Sequence, residues 1–199
     1  LFKLSVFFSL AFTSLINFLN AEPFESTYTP LPSQNILIKN ANIYDGEGNE
    51  LLKTDLLIKD RKIAAIGNDL PVTDDFEVID ASGKWVTPGI IDIHSHMGVY
   101  PAPGVRTSSD GNEATSPVTA DVWAEHSIWV QDPQYTLALS GGVTAFHILP
   151  GSANLIGGRG VTVKNLQRNT INSMKFPEAP HSLKMACGEN PKRVYGNRQ

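Results

Sequence analysis

The chain has 199 residues, of which 41% are hydrophobic, and its formal net charge is −4. This composition suits a globular fold with a hydrophobic core. The nearly balanced charge, without a lysine and arginine stripe, argues against nucleic-acid binding. A single cysteine, Cys187, excludes an internal disulfide framework.

Residues 1–21 have the composition of an export signal. Lys3 supplies a positive charge, an apolar run extends from Leu4 to Leu19, and Ala21 offers a small residue for cleavage. The apolar run is short for a membrane span, which needs about twenty residues. Because Leu19 is larger than the residue usual at its place in a cleavage site, an uncleaved anchor stays an alternative. We predict an exported protein, periplasmic or otherwise extracytoplasmic, without stable membrane association after cleavage.

Two segments of different character follow. Residues 22–34 are polar and rich in proline, which predicts a linker. Residues 35–87 alternate between strand-forming stretches and turn residues, with hairpin chemistry at Asp60-Arg61. The predicted strands are 36–38, 41–44, 55–59, 62–66, 76–80 and 84–86. No histidine falls in this block, so we expect its role to be structural.

The motif with the clearest chemistry is His94-Ser95-His96. In a strand, residues i and i+2 share a face, so both imidazoles project together, with Asp92 one step below. Such a pair suits zinc or another first-row divalent metal, although short histidine pairs also occur at surfaces and in cores. The break at Pro88-Gly89 and the apolar run 90–93 predict a buried strand. A (β/α) barrel places its chemistry at the C-terminal ends of such strands.

These residues resemble a known family. Residues 86–96 are similar to the first barrel strand of the metal-dependent amidohydrolase superfamily, and residues 78–85 fit the approach to that strand. Residues 141–145 resemble the family's second strand. The resemblance runs from about Asn35 to the end of the chain, and the imidazolonepropionase-like branch is the nearest match.

The resemblance implies an α/β fold with two parts. Residues 35–87 would form the N-terminal part of a small β-sandwich domain, and residues 88–199 the first part of a TIM-type (β/α)₈ barrel. A complete barrel needs roughly 250 residues, and the chain begins with Leu1 rather than methionine. We therefore expect a truncated chain, the N-terminal portion of a longer protein.

Between the two barrel strands, the sequence predicts a long loop followed by two helices. Residues 97–119 form a long loop, either a wall of the substrate pocket or a mobile segment. Thr119 is expected to cap an amphipathic helix that buries His126. A second helix is predicted at 134–140, followed by a strand at 143–149. Strand, helix and strand together make the βα repeat of a barrel.

The glycine-rich stretch 151–160 lacks both the P-loop ending and dinucleotide-site spacing, so neither function is predicted. It follows the second strand, where Arg159 is a candidate for pairing with a substrate carboxylate. A solvated arginine on a mobile loop is an equal alternative. His147, near the end of that strand, is expected to face either the barrel interior or the helices and is not assigned to the metal.

Further metal ligands are implied by the family. Many members place a carboxylated lysine, or a glutamate, between two metals at the end of a middle strand. Lys184, on an apolar segment, and Glu189, just past it, are the candidates here. A lysine needs a lowered pKa before it can take up carbon dioxide. A surface lysine and a loop carboxylate are the alternatives.

The function implied is hydrolysis of C–N bonds other than ordinary peptide bonds, with cyclic amides as the leading small-molecule substrates. The cofactor would be one or two divalent metal ions, zinc first among them. In the family, the general acid/base aspartate and two further histidines come from later strands, so the catalytic residue here is unknown. Two imidazoles fall short of the three ligands usual in catalytic zinc sites, so we expect this chain alone to be inactive.

Other functions stay open. An Xaa-Pro dipeptidase or a deaminase of the same superfamily is one alternative. A non-catalytic β-sandwich binding or scaffold protein, with incidental histidines, is an alternative from another class. Whether the protein forms a homo-oligomer is also open.

Overall fold

The structure is a computed structural model that describes residues 23–71 and 73–196. Its strands form two sheets, one in each half of the chain. The export signal predicted for residues 1–21 lies outside the described residues. Among the residues described, no helix is both long enough and apolar enough to span a lipid bilayer.

The first sheet contains five strands and pairs in the order β3-β2-β1-β4, with β5 also on β1. Their bounds are β1 Asn35–Tyr44, β2 Glu50–Lys59, β3 Lys62–Gly67, β4 Phe76–Asp80 and β5 Trp85–Val86. Strands β1, β2 and β3 are antiparallel neighbours, whereas β4 and β5 run parallel to β1. A small core of Ala41, Ile43, Leu56 and Ala81 packs on this sheet. Five of the six predicted strand segments lie within these elements, with 36–38 and 41–44 both in β1, and the sixth, 84–86, extends one residue before β5.

The hairpin between β2 and β3 shows why the local prediction was correct. Asp60 and Arg61 both have positive φ, of 50° and 63°. This is the geometry of a type I′ turn, whose twist matches that of the flanking strands. Aspartate tolerates the left-handed region better than most residues, so the two-residue connection fixes the register of Lys59 opposite Lys62.

The second sheet has four strands in the order β6-β7-β8-β9. Their bounds are β6 Ile90–Ser95, β7 Val143–Ile148, β8 Ile156–Lys164 and β9 Ser182–Met185. Helix α1, Gln134–Ser140, precedes β7, and helix α2, Glu189–Tyr195, follows β9. Strands β6 and β7 are parallel, and α1 between them confirms the predicted strand, helix and strand. The main core of this half includes Val99, Tyr135, Phe146, Ile148, Val161, Val163 and Met174.

The glycine-rich stretch is not a loop throughout, because β8 begins at Ile156. Strand β8 is antiparallel to β7 and to β9. A connection as short as residues 149–155 cannot hold a helical crossover, which parallel pairing would require. The βα repeat expected from the sequence therefore stops after β7, and the sheet is mixed.

The helix predicted from Thr119 onward is wrong. Only one 3₁₀ turn, Ala124–His126, forms there, and 48% of the His126 side chain is exposed. The backbone hydrogen bonds go to β8 instead: Thr119 N–H donates to Ile156 O, and Arg159 N–H donates to Val122 O at 2.7 Å. The predicted core position of His126 fails for the same reason.

The expectation that the run 90–93 is buried is also wrong in the described chain. Ile90, Ile91 and Ile93 are 53%, 61% and 77% exposed. Strand β6 is an edge strand of its sheet, so its outer side has no neighbouring strand among the described residues.

The proline-rich segment before β1 has no helix or strand but lies on the second half of the chain. Phe24 N–H donates to Glu125 Oε1 at 3.0 Å, and Thr27 N–H donates to Asn172 O at 3.0 Å. Lys175 Nζ lies 2.5 Å from Glu125 Oε2 and also donates to the Phe24 carbonyl.

Candidate metal-binding site

His94 is the penultimate residue of β6, and His96 follows the strand. Their rings approach edge to face, with centroids 5.5 Å apart and an interplanar angle of 87°. Asp92 Oδ1 accepts the backbone N–H of His94 at 3.1 Å, which steadies the end of the strand. The two imidazoles are therefore neighbours, as the i, i+2 spacing predicts.

His96 is oriented by a backbone carbonyl. Its Nδ1 lies 2.9 Å from Leu149 O, and because a carbonyl only accepts, Nδ1 carries the proton. The lone pair is then on Nε2. A histidine ligand usually has its second ring nitrogen tied in this way, which fixes the tautomer. His96 therefore has its lone pair on Nε2, the form in which a histidine can bind a metal through that nitrogen.

Lys184, on β9, reaches the same place. Its Nζ lies 3.1 Å from His94 Nε2, and burial lowers the pKa of Lys184. The pKa of His94 is lowered in turn, first by the charge on Lys184, then by burial and by His96. A lysine with a lowered pKa has more of the neutral amine that a carboxylation needs. The structure brings His94, His96 and Lys184 together.

Glu189 and Arg159 are not brought into this group. Glu189 is the exposed first residue of α2. Arg159 pairs with Leu183 across the β8–β9 ladder. Because cross-strand partners share a face and adjacent residues alternate, Arg159 lies on the face opposite Lys184. There its guanidinium stacks at 4.6 Å over Trp123, and its Nε donates to Ala120 O.

His147 belongs to the neighbourhood of the site, which the sequence left undecided. Its Nδ1 lies 2.9 Å from Thr162 Oγ1 and its Nε2 lies 2.6 Å from Ser182 Oγ. Burial lowers the pKa of His147, and His181 and His94 lower it further. The hydroxyl partners were missed because Thr162 and Ser182 are brought to His147 only by antiparallel pairing. His147 thereby ties β7 to the strand that carries Lys184.

The residues present fit part of a divalent cation site. Two imidazoles and one lysine converge, and a carboxylated lysine would add an oxygen ligand to two nitrogens. Within residues 23–71 and 73–196, no group of three histidine, cysteine, aspartate or glutamate side chains is placed to hold a metal ion. Lys184 therefore decides whether the described chain supplies a third ligand.

A cleft of about 210 Å³ adjoins His96. The loop after β6 lines this cleft through Tyr100 and Asn112, and helix α2 lines it through Asn190 and Arg193. The Asn112 amide donates to the Tyr100 hydroxyl, and its Oδ1 accepts Ala153 N–H at 3.0 Å. The loop after β6 thus lines this cleft, and its role as a wall of the substrate pocket stays a prediction.

Comparisons with known proteins identify the family of the chain. A scan against family models gives no match. The chain is 36% identical over 188 residues to the amidohydrolase tasK of Hapsidospora irregularis. It is 41% identical to the crystal structure of an amidohydrolase from Thermotoga maritima, with a TM-score of 0.74 over 82% of this chain. The chain belongs to the amidohydrolase superfamily.

Smaller stretches of this amidohydrolase chain match dihydroorotases. It is 46% identical over 74 residues to the dihydroorotase of Lactobacillus helveticus, which covers 37% of this chain and 16% of that protein. The match to tasK covers 81% of this chain but 19% of tasK, and the Thermotoga match covers 42% of that structure. The chain therefore spans less than half the length of these relatives. Membership of the imidazolonepropionase-like branch stays a prediction.

Proposed function

We propose that the full-length protein is a metal-dependent hydrolase of C–N bonds other than ordinary peptide bonds, acting on cyclic amides. The observation that carries this is the convergence of His94, His96 and Lys184 at the end of β6 and on β9. Relatives named amidohydrolase and dihydroorotase support the same reaction class. Because these relatives are named as enzymes, they favour a hydrolase over a non-catalytic scaffold.

His94, His96 and a carboxylated Lys184 would hold the cation, with zinc as the first candidate. When bound, a divalent ion of this kind lowers the pKa of a coordinated water to about 7 and polarises the scissile carbonyl. The chain's own residues orient the ligands. Leu149 O fixes the tautomer of His96, and Asp92 holds the backbone of His94. These hydrogen bonds hold His94 and His96 in place at the end of β6.

The family membership also supports a proposal for the domain organisation. Residues 35–87 would contribute to a small β-sandwich, and residues 88–199 to a (β/α) barrel that later strands complete. A general acid/base aspartate from those strands would protonate the leaving nitrogen, so the 199-residue chain alone would be inactive. Residues 1–21 would direct export.

The test is metal binding by the full-length protein. Elemental analysis of the purified protein should give about one or two divalent ions per chain. His94→Asn, His96→Asn and Lys184→Met should each lower that content, because each removes a ligand. With ¹³C-labelled bicarbonate, a carbamate carbon signal should appear in the wild type and be lost in Lys184→Met.

Two substitutions serve as matched controls, since His126 and Lys192 are exposed and lie outside the His94–Lys184 group. His126→Asn and Lys192→Met should leave both the metal content and the carbamate signal unchanged. A protein that keeps its full metal content when His94 and His96 are both replaced would contradict the proposal. So would a metal-loaded protein that hydrolyses no cyclic amide.

A further inference from the structure

The cleft beside His96 differs in the charge of its lining residues from a second cleft next to it. Arg193 is the charged side chain in its lining, and no carboxylate of the described residues contributes. A second cleft, of about 280 Å³, shares Asn112 but is lined by Asp110, Glu113 and Asp121. Of the two, only the cleft that contains His96 therefore has the charge to attract an anion.

Arg193 is held on a firmly anchored element. Pro191 in α2 is buried, and the hydroxyl of Tyr195 lies 2.7 Å from Asn154 Oδ1 and 2.8 Å from Ser116 O. These contacts fix both ends of the short helix against the rest of the chain. Arg193, between them, remains exposed.

The guanidinium of Arg193 keeps most of its donors available. An arginine has five N–H donors in a planar fork. Among the described residues Arg193 makes one hydrogen bond, a long one of 3.4 Å from an Nη to Asn190 Oδ1. Asn190 in turn donates through Nδ2 to Ser152 Oγ at 2.8 Å. The bond to Asn190 therefore orients Arg193 and leaves its other N–H donors available for a ligand. A planar fork of this kind matches a carboxylate bidentately.

We infer that the cleft lined by His96, Tyr100, Asn112 and Arg193 binds the carboxylate of an anionic substrate, with Arg193 as the specificity-determining residue. This rests on the proposed function and narrows it to cyclic amides that carry a carboxylate near the scissile bond. The amide of Asn112 and the hydroxyl of Tyr100 add neutral polar groups beside the ring. Arg159, the candidate from the sequence, lies on the opposite face of the β8–β9 ladder, stacked on Trp123.

The experiment compares probes that differ by one carboxylate. Dihydroorotate against dihydrouracil, and pyroglutamate against 2-pyrrolidinone, are two such pairs. Binding to the metal-loaded full-length protein is measured by titration calorimetry. We expect the carboxylate member of at least one pair to bind about ten- to a hundredfold more tightly, the range of a charge-assisted hydrogen-bonded contact.

Three variants assign that preference. Arg193→Gln should abolish it, while Arg193→Lys should keep part of it, because a lysine retains the charge without the fork. Lys192→Gln removes an adjacent exposed charge and should leave the preference intact. Equal binding within both pairs, or a preference that survives Arg193→Gln, would overturn the inference.

The outcome separates this inference from the hydrolase proposal. Hydrolysis of neutral cyclic amides without any carboxylate preference would remove the role of Arg193 and leave the hydrolase. An Arg193-dependent preference in binding, without hydrolysis of any probe, would support the anion site and count against the hydrolase.

Discussion

Gly160 makes room for the contact between His147 and Ser182. A Cβ at this position would lie 2.6 Å from a methyl carbon of Leu149, 2.7 Å from Ser182 Oγ and 3.0 Å from His147 Nε2. Gly160→Ala should therefore separate the two side chains and destabilise the protein by about 1–3 kcal/mol, as overpacking usually does. Urea unfolding measures the loss, and the His147 ring signals in NMR report the broken contact.

Gly104→Ala is the matched control, because a Cβ there meets no atom within 4 Å. It should leave both the unfolding midpoint and the His147 signals unchanged. If Gly160→Ala were as well tolerated as Gly104→Ala, the close packing around His147 would be disproved.

Single residues differ in how far the sequence reveals them. His94 and His96 follow from strand periodicity alone, because two residues apart on one strand is a local relation. Lys184 was a candidate only through the family resemblance, and the structure places its Nζ 3.1 Å from His94. No sequence pattern pointed to Arg193, because the cleft that it lines is formed by residues nearly a hundred positions apart along the chain.

Asp132 connects the loop after β6 to the start of α1. Its carboxylate is buried and accepts backbone N–H groups from Gly98, Ala102 and Gln134, at 3.1, 3.2 and 3.0 Å. Asp132→Ala would leave these donors without an acceptor, which should cost about 2–4 kcal/mol. Thermal unfolding measures the cost, and faster amide hydrogen exchange at the three residues would locate it.

Asp132→Asn separates hydrogen bonding from shape, because asparagine keeps one acceptor oxygen at nearly the same volume. Its unfolding midpoint should fall between those of the wild type and Asp132→Ala. Equal midpoints for Asp132→Ala and the wild type would show that the loop does not depend on this carboxylate.

Helix α1 also buries Tyr135, whose hydroxyl lies 3.4 Å from Met97 O. Burial, aided by the charge of Asp132, raises the pKa of Tyr135 well above its usual value of about 10. Above a pH of about 10, the unfolded chain releases the phenolic proton while the folded chain retains it. The free energy of unfolding therefore falls as the pH rises. Tyr135→Phe should lose stability at pH 7 but show a smaller further loss between about pH 10 and 11. An identical alkaline slope in both proteins, measured by urea unfolding, would contradict this.

Elements were predictable where local chemistry decides them. The hairpin at Asp60-Arg61, helix α1 and strand β7 depend on turn geometry and residue composition within a few positions. The helix expected from Thr119 failed because long-range hydrogen bonds to Ile156 and Arg159 satisfy the same backbone groups. Long-range hydrogen bonds of that kind override local helical preference. They cannot be predicted from the sequence near Thr119.

At the scale of the whole molecule, three distant parts of the chain meet at one buried ion pair. Glu125 and Lys175 are 3% and 5% exposed, and their side chains are 2.5 Å apart. Phe24 from the N-terminal segment donates its N–H to Glu125 and accepts from Lys175. The segment expected to be a linker is therefore held against the second half of the chain by charge-assisted hydrogen bonds, which are stronger than neutral ones.

Removing one partner of this pair should be more harmful than removing both. Lys175→Met leaves the Glu125 carboxylate buried without a counter-charge, and breaking a buried pair in this way costs about 3–5 kcal/mol. Adding Glu125→Leu to Lys175→Met removes the stranded charge and should recover a large part of the loss. The free energy of unfolding of the wild type, both single variants and the double variant gives the coupling energy of the pair.

Proteolysis provides an independent measurement: cleavage near Phe24 should accelerate in Lys175→Met, because the segment loses both its lysine donor and a correctly placed Glu125. If the double variant were no more stable than Lys175→Met, the loss in Lys175→Met would not come from a stranded Glu125 carboxylate.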